Sequence, residues 1–283
     1  MFQVKSSMRL FILIAILIIF LIFCVIFFYN VTSKSNQNKY VFLTKEEIRL
    51  FFEKDEDSYV DNMSQYDLEC RKVKTSKEYI NMICDCVLNF TNAEKERLIT
   101  CAEKADAFLS NYTYADKLRC KQIADIPWKF ALTYQNNNGY EYENSLPHTR
   151  NDIIFLSKSQ LNENITSAEN DVVLTSILIH EKVHIFQRYN KTLMDRIISH
   201  LGYVEYKGKQ PELKRTNPDV NDKIYYDPQK NKLMVITYSS TKPDNINDVI
   251  DNDYSNEHPY EKMAYEIENE YSQKTMKDII KDI

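Results

Sequence analysis

Apolar residues fall along this chain in three textures, and each predicts a different element. From 10 to 29 the run is apolar without interruption, and about twenty such residues suffice to cross a bilayer as a helix. Lys5 and Arg9 precede it and no small-x-small cleavage site closes it, so the pattern predicts an uncleaved signal anchor at 10–29 behind a short tail at 1–9. After a polar linker at 30–43, apolar residues recur at helical spacing, with Ile48, Phe51 and Phe52 followed by Ile80, Ile83, Val87 and Leu88. That predicts a helical region over 44–122. The third texture covers 123–283. Short β-rich runs at 128–134 and 152–157 are separated by an Asn/Gly turn at 136–139. An apolar helix over 171–189 and a second over 191–201 follow. The runs 223–227 and 232–238 flank Pro228 and Asn231 as a hairpin would. A last helix runs over 259–281, opened by Pro259, whose missing N–H is no loss in a first turn. The expected class is α+β: a small sheet, a central apolar helix and a C-terminal helix, preceded by a transmembrane helix and a helical region.

Composition narrows the function. The chain has 283 residues, 43% hydrophobic and 27% charged, with a net charge of −5, and its basic residues are scattered, so nucleic acid is not an expected partner. With only Gly139, Gly202 and Gly208 present, neither a phosphate-binding P-loop nor a GxGxxG dinucleotide turn can be written. Cys70, Cys84, Cys86, Cys101 and Cys120 all fall within 44–122, which reads as a module stapled by disulfides. Cys84 and Cys86 would point to different sides of a helix and so bond separate partners. Sequons at Asn62, Asn89, Asn111, Asn164 and Asn190 are glycosylation candidates, whereas Asn30 lies too near the apolar run. Basic residues flank the run on both sides and do not orient it. Cysteines and sequons together favour an oxidising compartment. The expectation is a single-pass membrane protein, in contact with the membrane through 10–29, whose larger part is lumenal, extracellular or on a virion surface.

The segment 174–188 carries the chemistry. It contains HExxH as His180, Glu181, Lys182, Val183 and His184. Residues four apart share a helical face, so His180 and His184 can offer two imidazole nitrogens to one Zn2+, and Glu181 is set to take a proton from a water the metal holds. Leu174, Ile177, Leu178, Ile179, Val183 and Phe186 make the helix largely apolar, and such a polar set is expensive to bury without a metal. Zinc needs a third protein ligand. The metzincin extension would require Gly at 187 and His at 190, where Gln187 and Asn190 stand. Glu261, in the first turn of the last helix with Ala264 and Tyr265 one turn on, is a candidate; Glu257, His258 and His200 are rivals. Glu261 can also be read as a residue that merely complements the helix dipole. For a donor to a developing oxyanion, His258 and Tyr265 are candidates, with Tyr254, Tyr260 and His148 chemically able as well.

HEKVH followed much later by an ExxA helix resembles the gluzincin type of zincin metallopeptidase. The resemblance implies a zincin-like domain with Glu261 as third ligand. The stretch SLPHTRNDIIFLS at 145–157 ahead of LIHEKVHIFQR is also similar to zinc peptidases of large DNA viruses, over about 145–271. In zincins the strand before the motif helix is a sheet edge on which extended substrate adds, and the resemblance assigns that role to 152–157. The chain departs from the thermolysin-type NExxSD pattern, because Tyr260 and Glu261 stand where Ser and Asp would fall after Asn256 and Glu257. The expected function is a membrane-anchored zinc metallopeptidase hydrolysing a peptide or protein substrate, with Glu181 as base. Two alternatives stand beside it: a surface or virion-envelope attachment protein using the same scaffold without catalysis, and an amide hydrolase of another kind.

Overall fold

The computed structural model describes residues 39–161 and 168–281. The chain divides into two compact units, Met1–Val41 and Phe42–Ile283. The first strand, β1 (Tyr40–Phe42), falls across that division. The second unit holds every other described element.

Helices α1 (Lys45–Lys54), α2 (Gln65–Cys70), α3 (Ser76–Ile83) and α4 (Asn92–Asn111) lie within 44–122, but Val87 and Leu88, expected to share the helical spacing, form a strand instead. Thr44, Ser64 and Thr91 start α1, α2 and α4 with reciprocal capping boxes to Glu47, Asp67 and Glu94, each of which satisfies two of the N–H groups a helix start leaves open. The strand pieces β2 (Val87–Leu88), β3 (Thr113–Tyr114) and β4 (Leu118–Arg119) and the short α5 (Lys121–Ala124) lead to β5 (Trp128–Thr133). Then come β6 (His148–Arg150) and β7 (Ile153–Ser157), the long α6 (Ala168–Tyr189) and α7 (Lys191–His200). A small sheet, β8 (Val204–Glu205), β9 (Tyr225–Asp227) and β10 (Lys232–Met234), precedes the closing α8 (Pro259–Lys281). The expected hairpin is the β9–β10 pair, with Lys232 opposite Asp227 and Asn231 at φ 52° in its turn.

The central sheet of this unit runs β2–β5–β7–β6 and is mixed: β5 and β7 are parallel, the other pairs antiparallel. β7 therefore lies inside the sheet and β6 is its edge, so the expectation that 152–157 forms the edge is corrected. Ile153, Ile154, Phe155 and Leu156 are all buried, as an interior strand covered on both faces requires. In the edge strand β6 even Arg150 is fully buried, between Asp55 and Asp57 and over the Phe51 and Tyr59 rings.

Three further expectations fail. The region 44–122 is not a separate module: Ile48, Phe52, Tyr79 and Ile83 share one core with Ala131, Tyr142 and Phe155 of the sheet region. Lys182 of α6, fully buried, donates to Asp106 of α4 at 2.5 Å and lies 3.9 Å from the Trp128 ring centroid. Nor is the region stapled by disulfides. Cys70, Cys84, Cys86, Cys101 and Cys120 are all free and buried, each in its own surroundings; Cys70 Sγ contacts Tyr238 Oη at 3.3 Å, and Cys120 donates to the Leu118 carbonyl at 3.6 Å. Burial raises the thiol pKa of Cys86 to about 12 and of Cys120 to about 11, as for inert packing thiols. Finally, among the described residues no helix is long and apolar enough to cross a membrane. The expected anchor at 10–29 lies outside the described residues, so no described element carries the single-pass, extracytosolic expectation.

Of the sequon residues, Asn62, Asn89 and Asn111 are exposed and Asn190 is half-buried, its amide donating to the Phe186 carbonyl at 2.9 Å. Asn164 lies outside the described residues.

Candidate metal centre

Helix α6 carries His180 and His184 one turn apart on the face turned to α8, and Lys182, rotated by roughly 200° from His180 on a helix, anchors the opposite face in the α4–Trp128 pocket. Ala264 of α8 is fully buried and keeps the side-chain layer between the helices thin. Across it, His180 Nε2 lies 3.3 Å and His184 Nε2 3.5 Å from Glu261 Oε2, with the two Nε2 atoms 2.9 Å apart. A tetrahedral zinc with N and O ligands at 2.0–2.2 Å needs donor atoms about 3.3–3.5 Å apart. The two histidine–Glu261 separations meet that requirement, the two Nε2 atoms would have to part by a few tenths of an ångström, and the trio is the one metal-capable group found among the described residues.

The surroundings also decide which ring nitrogen is available. Gln187 donates its amide to the Tyr260 carbonyl at 3.1 Å, which turns its Oε1 to His184 Nδ1 at 2.8 Å. Nδ1 therefore carries the proton and Nε2 keeps its lone pair for a metal. Glu268 Oε2 lies 2.7 Å from His180 Nδ1, close but off the axis of an aligned hydrogen bond; a carboxylate there favours the same tautomer. Asn217 donates to Glu261 Oε1 at 2.7 Å and to Glu257 Oε2 at 2.9 Å, holding Glu261 with Oε2 towards the histidines.

The buried charges of the site act strongly on one another. Burial opposes charge on His180, yet Glu261 and Glu268 raise its pKa well above the ordinary imidazole value. Burial likewise opposes the charged form of Glu261, but His184 and His180 hold it well below the usual carboxylate range. Glu181 is pushed well up by burial and then by the charge of Asp219. Its Oε2 is buried without a hydrogen-bond partner, the kind of orphan that asks for a ligand.

These residues open on a cavity of about 280 Å³. His180, Glu181 and Glu261 line it on the metal side, with Tyr265 and Glu268; Arg71, Glu143 and Tyr59 close the far side. Tyr265, its ring 4.6 Å from that of His180, lines the same space. His258 is not among the lining residues: Nδ1 accepts from the Tyr260 N–H at 3.0 Å and Nε2 contacts Asn221 at 3.2 Å, and burial lowers its pKa to about 3. It caps α8. Of the other rivals, Glu257 is bound to Arg215 at 2.6 Å, and His200 is exposed at the end of α7.

Sequence reasoning missed Gln187, Glu268 and the loop Arg215, Asn217, Asp219. Glu268 was findable, since it stands seven residues after Glu261 on the same helical face. The loop has no periodicity to betray it. No family model, curated protein or solved structure matches this chain, so the function is argued from this site.

Proposed function

We propose that this protein is a zinc-dependent hydrolase of peptide bonds, of the gluzincin type, with His180, His184 and Glu261 as metal ligands and Glu181 as general base. One observation carries the reading: two imidazole nitrogens and one carboxylate oxygen converge at ligand-to-ligand spacing on the wall of a cavity, beside a buried carboxylate with an unpartnered oxygen. When bound, zinc acts as a Lewis acid and brings the pKa of a coordinated water to about 7. Glu181 takes the proton from the attacking water and returns it to the leaving amine. Its burial keeps competing solvent from the proton it carries. Tyr265 supplies a hydroxyl hydrogen bond to the substrate oxygen as charge builds there. Gln187, Glu268 and Asn217 hold the ligands in position.

The test is metal content of the purified full chain by mass spectrometry, followed by turnover of a casein peptide digest. About one zinc per chain, lost in His184→Ala, is expected. Glu181→Gln should keep the zinc and the melting temperature and lose at least about a hundredfold in rate, the scale of a removed general base. A chain that takes up no zinc, or a Glu181→Gln variant of undiminished activity, overturns the proposal.

A further inference from the structure

The edge strand of the sheet is already occupied where a substrate strand would add. The Thr149 N–H, turned away from β7, donates to Asp219 Oδ1 at 2.6 Å, and the Thr149 hydroxyl donates to the same oxygen at 2.6 Å. The Thr149 carbonyl is taken by Arg188 Nη2 at 3.2 Å, which also reaches the Pro218 carbonyl at 2.8 Å. An extended peptide pairing with an edge needs those two backbone groups. Here Asp219 stands where the substrate's own carbonyl would, so a chain entering along the edge has to end at this point.

Size and charge say which end stops there. The cavity, at about 280 Å³, sits at the lower end of the range of about 300–1,000 Å³ that takes a drug-sized ligand, and it has room for the tip of a peptide. Its two arginines are spent, Arg71 on Glu143 and Arg215 on Glu257. Asp219, Glu261 and Glu268 line the same space, and a divalent ion balances only part of their charge. Arg188 lies 3.9 Å from Asp219 Oδ1 and offsets a little more. Asp219 Oδ1 holds both Thr149 donors, while Oδ2 has no hydrogen-bond donor among the described residues. The cavity is also short of partners for a ligand's polar groups to replace: His148, 4% exposed and a lining residue, has Nε2 buried without a partner, as has Glu181 Oε2.

We infer, resting on the hydrolase reading above, that the substrates are peptides with a free α-amino terminus, which Asp219 receives, and that cleavage falls within their first two residues. An ammonium group is the one peptide terminus an anionic dead end attracts; a terminal carboxylate is repelled. His148 Nε2 then hydrogen-bonds the backbone of the leading residue. The amide C–N bond breaks, water supplies the new carboxylate oxygen, and the amine leaves with a proton carried by Glu181.

The experiment measures binding apart from turnover. Zinc-loaded full-length Glu181→Gln is titrated calorimetrically with tetra-alanine and with N-acetyl-tetra-alanine. The free-amino peptide should bind at least about tenfold tighter, and Asp219→Asn in the same background, which keeps an acceptor for Thr149 but drops the charge, should cut the ratio to about twofold. In parallel, the unmodified enzyme should shorten a free decapeptide from its amino end and leave the acetylated one intact. Equal binding of the two tetrapeptides overturns the inference without needing any Asp219 variant. Internal cleavage of the acetylated decapeptide overturns it too, and leaves the hydrolase reading standing. Failure to load zinc overturns both.

Discussion

The two ends of the central cavity are both built of buried charge, and they differ in whether that charge is answered. At the far end Arg71, 2% exposed, gives every side-chain nitrogen an acceptor: Nε reaches Glu143 at 3.2 Å, Nη1 the Asp67 carbonyl at 2.8 Å, and Nη2 Glu143 and the Tyr59 hydroxyl. Tyr79 donates to the same glutamate, and Asp67 is held by Ser64, Thr216 and Tyr238. At the near end two histidines and three glutamates converge, and Glu181 Oε2 has no hydrogen-bond partner among the described residues. A polar cluster closed on itself braces a fold. One left short of a positive charge is set to bind one.

The contrast can be broken from either side. The largest effect is expected from Arg71→Ala, which strands Glu143 as an unpaired buried charge: a loss of about 3–5 kcal/mol in urea unfolding, with zinc stoichiometry of the folded fraction unchanged. Gln187→Ala attacks the other end through a residue behind His184 that is not one of the proposed ligands. Zinc affinity in a competition titration should fall about 10–100-fold, with a loss of about 1–3 kcal/mol in the stability of the metal-free chain from the unpaired Tyr260 carbonyl and His184 ring.

A pH series sharpens the difference. Burial raises the Glu143 and Asp67 carboxyls, but Arg71 and the surrounding donors outweigh it and leave both below their ordinary values of 4.5 and 3.8. Groups depressed by folding stabilise the native state in full above their unfolded values, and lose that contribution as the pH falls through their folded ones. Metal-free protein should therefore weaken progressively below about pH 4.5, and Arg71→Ala should flatten that slope. A slope unchanged by the substitution would mean that the far cluster does not govern acid stability. The smallest effect concerns the thiols: with all five described cysteines free, a strong reductant should leave the melting temperature of the metal-free chain where it was. A fall of several degrees would restore the expected disulfides.

How far the site was legible follows from where its residues sit. HExxH is a local pattern; five consecutive residues on a helix announce a metal face because helical spacing alone brings His180 and His184 together. Glu261 was reachable as a first-turn glutamate in a strong helix, although choosing it over Glu257 and His258 took the packing of α8 on α6. Gln187 was read only as the residue that rules out a metzincin. The cysteines misled because a buried free thiol and a half-disulfide look alike in a sequence. The edge strand was misplaced by the resemblance, which put it at 152–157; His148, Thr149 and Arg150 form it instead, and only Asp55, Asp57 and Asp219, distant in the chain, make Thr149 and Arg150 fit to bury.

By itself the sequence determined the α+β texture, the capped helices, the hairpin and the motif helix, since each depends on periodicity and turn chemistry within a few residues. Tertiary structure alone decided that 44–122 shares the core of the rest, that Lys182 is buried against Asp106, that β7 is interior, and that Arg215, Asn217 and Asp219 close over the site. Those outcomes depend on which charges meet across long stretches of chain, and a carboxylate, an arginine or a thiol shows its role only once its partner, or the lack of one, is fixed in space.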